Sequence, residues 1–66
     1  MITGEMTILS VIEQYPETRR VFDAYGAQCE SCLCCTYLFE TLAEVARRHG
    51  FALDRLLADL NRAAGL

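Results

Sequence analysis

The four cysteines of this chain all fall within Cys29-Glu30-Ser31-Cys32-Leu33-Cys34-Cys35. No other stretch concentrates chemistry to the same degree. A thiolate attacks disulfides and also binds soft metal ions, so the cluster has two chemistries open to it. Spacing restricts the first. Cys29 and Cys32 are three residues apart, as are Cys32 and Cys35, and three residues of turn or helix bring Cα atoms to about 5–6 Å, inside the disulfide window. Both pairs use Cys32 and exclude one another. Adjacent Cys34 and Cys35 would close a small strained ring, whereas Cys29 can reach Cys34 or Cys35 across a loop. One intramolecular disulfide beside two thiols is the expected oxidised state.

For metal binding, C-x-x-C is the usual half of a zinc or iron–sulfur site, completed by ligands elsewhere in the chain. This sequence offers no second half, and its one histidine, His49, falls at a predicted helix end, where capping is the commoner role. The candidate ligand set is therefore Cys29, Cys32, Cys34 and Cys35, suited to zinc, iron or an iron–sulfur cluster, and a full cluster is more comfortably held by two chains. No cofactor is fixed by the sequence. The blandest alternative treats the cysteines as small buried hydrophobes, yet four in one turn are poorly placed for packing.

Thiol reactivity depends on the local field. Cys34 and Cys35 fall near the predicted start of a third helix, whose N–H groups favour an anion. Glu30 and the acidic overall balance oppose this, and the motif contains no Lys, Arg or His. A modestly activated thiol is expected.

The elements that must position these thiols are short and helical. Sixty-six residues make one domain, 1–66. A chain of this size buries only about 60% of its unfolded surface, and its 53% apolar content exceeds what a small core can hide. Apolar surface is left for a partner or a second copy, and Leu33, Tyr37, Leu38 and Phe39 form the candidate patch, for a homodimer included. A net charge of −3, with six Arg and no Lys, argues against a nucleic-acid footprint. No apolar run approaches the ~18 residues of a membrane span, and Met1–Met6 lacks the basic and apolar regions of a signal peptide. A cytoplasmic protein is expected, and in that compartment cysteines serve metal binding or reversible redox more than structural disulfides.

Thr7 is placed to cap a first helix, with Met6 and Val11 spaced as a hydrophobic staple and Ile8, Leu9, Ile12 and Tyr15 at helical intervals. Pro16 ends that helix and opens a second, with Glu17 at its positive end and Val21, Phe22 and Tyr25 as its stripe. Gly26 is the expected stop of the second helix, which leaves Ala27-Gln28 as a connection and 29–35 as a cysteine loop between helices 2 and 3. Thr36-Tyr37-Leu38-Phe39-Glu40 is expected to be partly exposed or already helical. Thr41 and Glu44 fit a capping box, and Leu42, Val45 and Ala46 face inward until Gly50 closes the helix, with Phe51 contacting back to Ala46. A last helix from Leu53-Asp54 buries Leu53, Leu56, Leu57, Leu60 and Ala64 and ends at Gly65. No segment alternates with period two, so the fold class is all-α, a compact array of four or five short helices.

Met6-Thr7-Ile8, Val11-Ile12, Tyr15-Pro16-Glu17, Val21-Phe22, Tyr25-Gly26, Cys29-x-x-Cys32, Glu40-Thr41-Leu42, His49-Gly50 and Leu56-Leu57…Leu60-Asn61 together resemble a small bacterial and archaeal domain-of-unknown-function family. It is also described as the hybrid-cluster-protein-associated redox disulfide domain. The resemblance covers almost the whole chain and implies a helical fold presenting a C-x-x-C between its second and third helices. More distantly, the chain is similar to the N-terminal domain of iron–sulfur cluster repair (di-iron) proteins, which carries an adjacent Cys-Cys like Cys34-Cys35. Both resemblances imply work near iron–sulfur or redox chemistry. Counted back from Glu40-Thr41-Leu42, the second family cysteine falls near Cys34, so the cysteine segment is about two residues longer than usual and carries two extra thiols. Ala52 stands where the family often has a capping Asp.

Three functions follow as expectations. The first is a dithiol/disulfide module acting with a protein partner, with Cys29 and Cys32 as the primary pair and Cys34 or Cys35 as resolving thiols. Such a module need not be an enzyme. The second is a metal or cluster carrier using Cys29, Cys32, Cys34 and Cys35. The third is an interaction domain whose thiols are incidental.

Overall fold

The computed structural model describes residues 1–30 and 33–66, with the backbone alone at 34 and 35. Among these residues the chain is all-helical: α1 (Ile8–Gln14), a 3-10 turn (Pro16–Thr18), α2 (Arg19–Cys29), the single turn α3 (Leu33–Thr36), α4 (Leu42–His49) and α5 (Leu53–Ala63). Pro16 acts as its ring demands. Tyr15 before it leaves the helical region at φ −135°, ψ 79°, and the turn that follows leads into α2.

The starts of α1 and α4 are built against each other. Thr7 caps α1 through Oγ1, which accepts the Ser10 N–H at 3.1 Å. Thr41 caps α4 by accepting the Glu44 N–H at 3.1 Å, and Glu44 Oε1 accepts the Thr41 N–H at 2.9 Å, completing the capping box. These bonds hold the Glu44 carboxyl below its ordinary range, because they favour the ionised form. The remaining first-turn donors cross between the two segments. Ile8 and Leu9 N–H donate to the Glu40 and Leu38 carbonyls, and Leu42 and Ala43 N–H donate to those of Met6 and Gly4. An antiparallel bridge pairs Thr7 with Thr41 at the centre. Each helix start thus supplies the acceptors the other lacks.

Gly4 is fitted to this junction. A Cβ there would come within 3.2 Å of Leu53 Cδ2 and 3.6 Å of Ala43 Cβ. Ahead of it, Ile2 is buried in the core, and Asn61 of α5 holds its backbone from both sides. Asn61 Oδ1 accepts the Ile2 N–H at 2.8 Å, and Asn61 Nδ2 donates to the Ile2 carbonyl at 3.3 Å and to Leu57 O at 2.9 Å.

The core collects Ile2, Ile8, Val11, Phe22, Leu33, Leu42, Val45, Leu56 and Leu60, so every α-helix contributes to it. The inward stripes expected for α4 and α5 are the ones observed, with Leu53, Leu57 and Ala64 at the margin, whereas in α1 Ile8 and Val11 are buried, Ile12 packs against them, and Leu9 is half-buried outside the cluster. Thr18 is buried too, its hydroxyl donating to the Tyr15 carbonyl at 2.7 Å. Gly50 closes α4 at φ 76°, and the Phe51 N–H returns to Ala46 O at 2.8 Å. Ala52 gives α5 no side-chain cap.

One boundary differs from expectation. Gly26 does not end the second helix. It lies buried inside α2, which runs on to Cys29, and Glu30 takes the left-handed position at φ 57° with its N–H on Gly26 O. Burial of this turn outweighs the glycine's preference for a stop, since tertiary packing routinely overrides propensity. Ala27 and Gln28 are helical as a result.

Between α2 and α5, the Tyr25 hydroxyl donates to Asp59 Oδ2 at 2.6 Å, and its ring meets Phe51 edge-on at 5.0 Å between centroids. Burial first, and then the hydrogen bond to Asp59, push the phenol up to about 12.

Two outcomes follow from this architecture. Thr41→Ala removes the acceptor for the Glu44 N–H and should cost about 1 kcal/mol, as cap losses do. For a domain this small that lowers the melting temperature by about 4–8 °C, and circular dichroism melting reads it. Because folding raises the Tyr25 pKa, the stability it contributes is complete below the usual tyrosine value of 10.0 and is lost as pH rises toward about 12. In an ultraviolet titration Tyr25 should ionise well above the usual tyrosine value, and Asp59→Ala should bring it back toward that value.

Candidate thiol site

The site begins where α2 ends. Cys29 is the last residue of that helix, half-buried, with its side chain packed against the core. Its Sγ–H donates to the Gly26 carbonyl at 3.6 Å, an ordinary distance for the large sulfur atom. Phe22 and Gly26, both buried, fix the helix beneath it. Glu30 then turns the backbone sharply through its left-handed conformation.

Leu33 opens α3 and is only 1% exposed. The Tyr37 N–H donates to the Leu33 carbonyl at 3.3 Å, and α3 packs against both α2 and α1. Cys34 and Cys35 are the middle residues of this turn. The thiol segment is therefore a helix end and a helical turn, each anchored by a core side chain, joined by residues 30–32. Cys29 and the backbone of Cys34 and Cys35 are brought together by the packing of α2 on α3. Cys32, like the side chains of Cys34 and Cys35, lies outside the described residues.

Two expectations about this region change. The third helix is a single turn, so it has little of the aligned dipole that would favour a thiolate at Cys34 or Cys35. Leu33 belongs to the core and offers nothing to a surface patch, and Tyr37 and Leu38 are half-buried against it. Of the four residues expected to form an apolar docking patch, Phe39 is the one that projects, at 82% exposure.

His49 is not a simple helix-end cap. Its ring packs between Tyr37, 5.0 Å away by centroid, and Phe51, 5.8 Å away, and its Nε2 is buried with no hydrogen-bond partner among the described residues. Arg48 stands 5.4 Å over the Tyr37 ring and makes a bidentate pair with Glu40, through Nε to Oε1 at 3.1 Å and Nη2 to Oε2 at 2.8 Å. This ties Glu40, at the end of the thiol-bearing stretch, to the last turn of α4. Sequence reasoning missed both links, because they join residues by contact across the fold and not by local spacing.

Among the described residues no group of three or more His, Cys, Asp or Glu side chains converges to hold a metal ion. The four-cysteine ligand set falls partly outside them. No helix among these residues is long and apolar enough to cross a membrane.

No curated protein and no solved structure matches the chain. A family model described as Domain of unknown function (DUF1858) matches residues 2–57, from the core residue Ile2 through the thiol segment and into α5. Over that span lie both crossed helix starts and all four cysteines, and the chain belongs to the DUF1858 family.

Proposed function

We propose that this protein is a dithiol/disulfide module that exchanges with a protein partner, with Cys29 and Cys32 as the primary pair and Cys34 or Cys35 as a resolving thiol. The observation that carries it is the half-buried Cys29 thiol at the end of a packed helix, four residues before a second core anchor at Leu33. A reactive sulfur on a rigid base, with a short connection to its partner cysteine, closes a disulfide without disturbing the core. The resemblance to redox disulfide domains supports the same chemistry and suggests a partner in iron–sulfur or redox metabolism.

The exchange balances as an ordinary two-electron step. A thiolate of the reduced pair attacks the partner's disulfide, forms a mixed disulfide and expels one partner thiolate. The second cysteine attacks that mixed disulfide, expelling the other partner sulfur and closing the intramolecular bond. The partner gains two electrons and two protons and leaves as a dithiol, and the module leaves oxidised. The reverse sequence reduces the module.

Protein purified without oxygen and mildly oxidised should lose two titratable thiols reversibly while carrying no metal. Cys29→Ser combined with Cys32→Ser should abolish that two-thiol change and keep the helical circular dichroism spectrum. Stoichiometric zinc or iron, with helix content falling on chelation, would instead establish the metal-binding function.

A further inference from the structure

A groove runs between α2 and α5. One part is a depression of about 420 Å³, and it continues into another of about 530 Å³ beside Phe51; Ala24, Tyr25 and Asp59 line both. On α2 the lining residues are Arg20, Val21, Ala24, Tyr25 and Gln28, which share one helical face. The last of them directly precedes Cys29. On α5, Arg55, Asp59 and Arg62 recur at intervals of four and three.

The charge of this groove opposes that of the molecule. The chain has a net charge of −3, yet Arg20, Arg55 and Arg62, three of its six cationic side chains, border this one groove. Asp59 is the carboxylate among the lining residues, and it is already engaged by the Tyr25 hydroxyl and by Arg62 at 3.6 Å. Arg20 and Arg55 are exposed and take no part in the ion pairs formed among the described residues. Val21, Ala24 and Ala63 supply an apolar floor.

We propose that this groove binds an extended acidic segment of a partner protein, its carboxylates on Arg20, Arg55 and Arg62 and its aliphatic side chains on Val21, Ala24 and Ala63. Length favours a peptide over a small anion. Arg55 and Arg62 are seven residues apart on α5, about 10 Å along the helix axis, which matches three residues of an extended polyproline-II chain at about 3.1 Å each, whose side chains return to the same edge every third residue. Glutamates at every third position therefore meet successive arginines, whereas a single small anion engages one end. The inference deepens the thiol reading by naming the partner's chemistry, and depends on it only for what a segment docked beside Gln28 does at Cys29.

The test uses the whole chain, kept reduced, and a cysteine-free fluorescein-labelled peptide, Glu-Leu-Ala-Glu-Leu-Ala-Glu, followed by anisotropy. Saturable binding that weakens with salt is expected, with up to about fivefold loss for Arg20→Gln or Arg55→Gln alone. The combined Arg20→Gln, Arg55→Gln variant should retain its circular dichroism spectrum and lose most of the binding. Amide chemical shifts should move on α2 and α5. Affinity equal to that of the Gln-for-Glu peptide, indifference to the arginine substitutions, or shifts centred on Phe39 would each overturn the proposal. Sedimentation showing a dimer that the double variant dissociates would overturn it too, by giving the groove to a second copy. Since the probe carries no thiol, its binding stands or falls apart from the two-thiol oxidation.

Discussion

Everything in this fold depends on how two helix starts are satisfied. An α-helix begins with amide groups that have no partner within the helix, and in a 66-residue chain few elements are available to cover them. Here α1 and α4 meet start to start, and the carbonyls of Gly4, Met6, Leu38 and Glu40 accept from the opposite helix. Thr7 and Thr41 hold the rest with their own side chains. The exchange is complete only when both segments are in place. It also aligns the two apolar faces, which places Ile8, Val11, Leu42 and Val45 in the centre.

The same arrangement determines where chemistry can occur. The positive ends of α1 and α4 are fully occupied by protein carbonyls and hydroxyls and hold no amide ready for an anion. Positive charge reaches the surface through arginine side chains, and half of these border the α2–α5 groove. The cysteines occupy a different kind of place. Cys29 ends α2 among acceptors, with Gly26 O beside its sulfur and Glu30 next in the chain, and α3 is too short to provide a strong field.

Much of the fold was legible because it is written in local rules. Threonine caps, Pro16, the capping-box pair Thr41 and Glu44, and Gly50 each act on residues a few positions away, and the structure places each as expected. The stripes of α4 and α5 follow from helical periodicity. What spacing did not disclose was tertiary. Gly26 has the composition of a stop, yet burial carries α2 through it, and only the packing of α2 shows this. Asn61 reads as an ordinary polar helix residue until Ile2 is found between its amide atoms. The thiol segment itself was evident from composition, but Leu33, read as surface, is the core anchor that positions α3. The basic groove had a faint signal in Arg55, Asp59 and Arg62 on one face of α5, and it gained meaning once Arg20 of α2 stood opposite.

The crossed helix starts also close a loop. Residues 4–9 are joined to residues 38–43, and the whole thiol segment lies inside the circuit. Its two flanks are pinned independently, by Phe22 and Gly26 on one side and by Leu33 on the other. Lengthening the circuit from residue 9 to residue 38 by a residue or two alters its closure entropy only logarithmically, by less than about 0.1 kcal/mol. The helices on either side of residues 30–32 thus take their register from contacts made elsewhere in the fold.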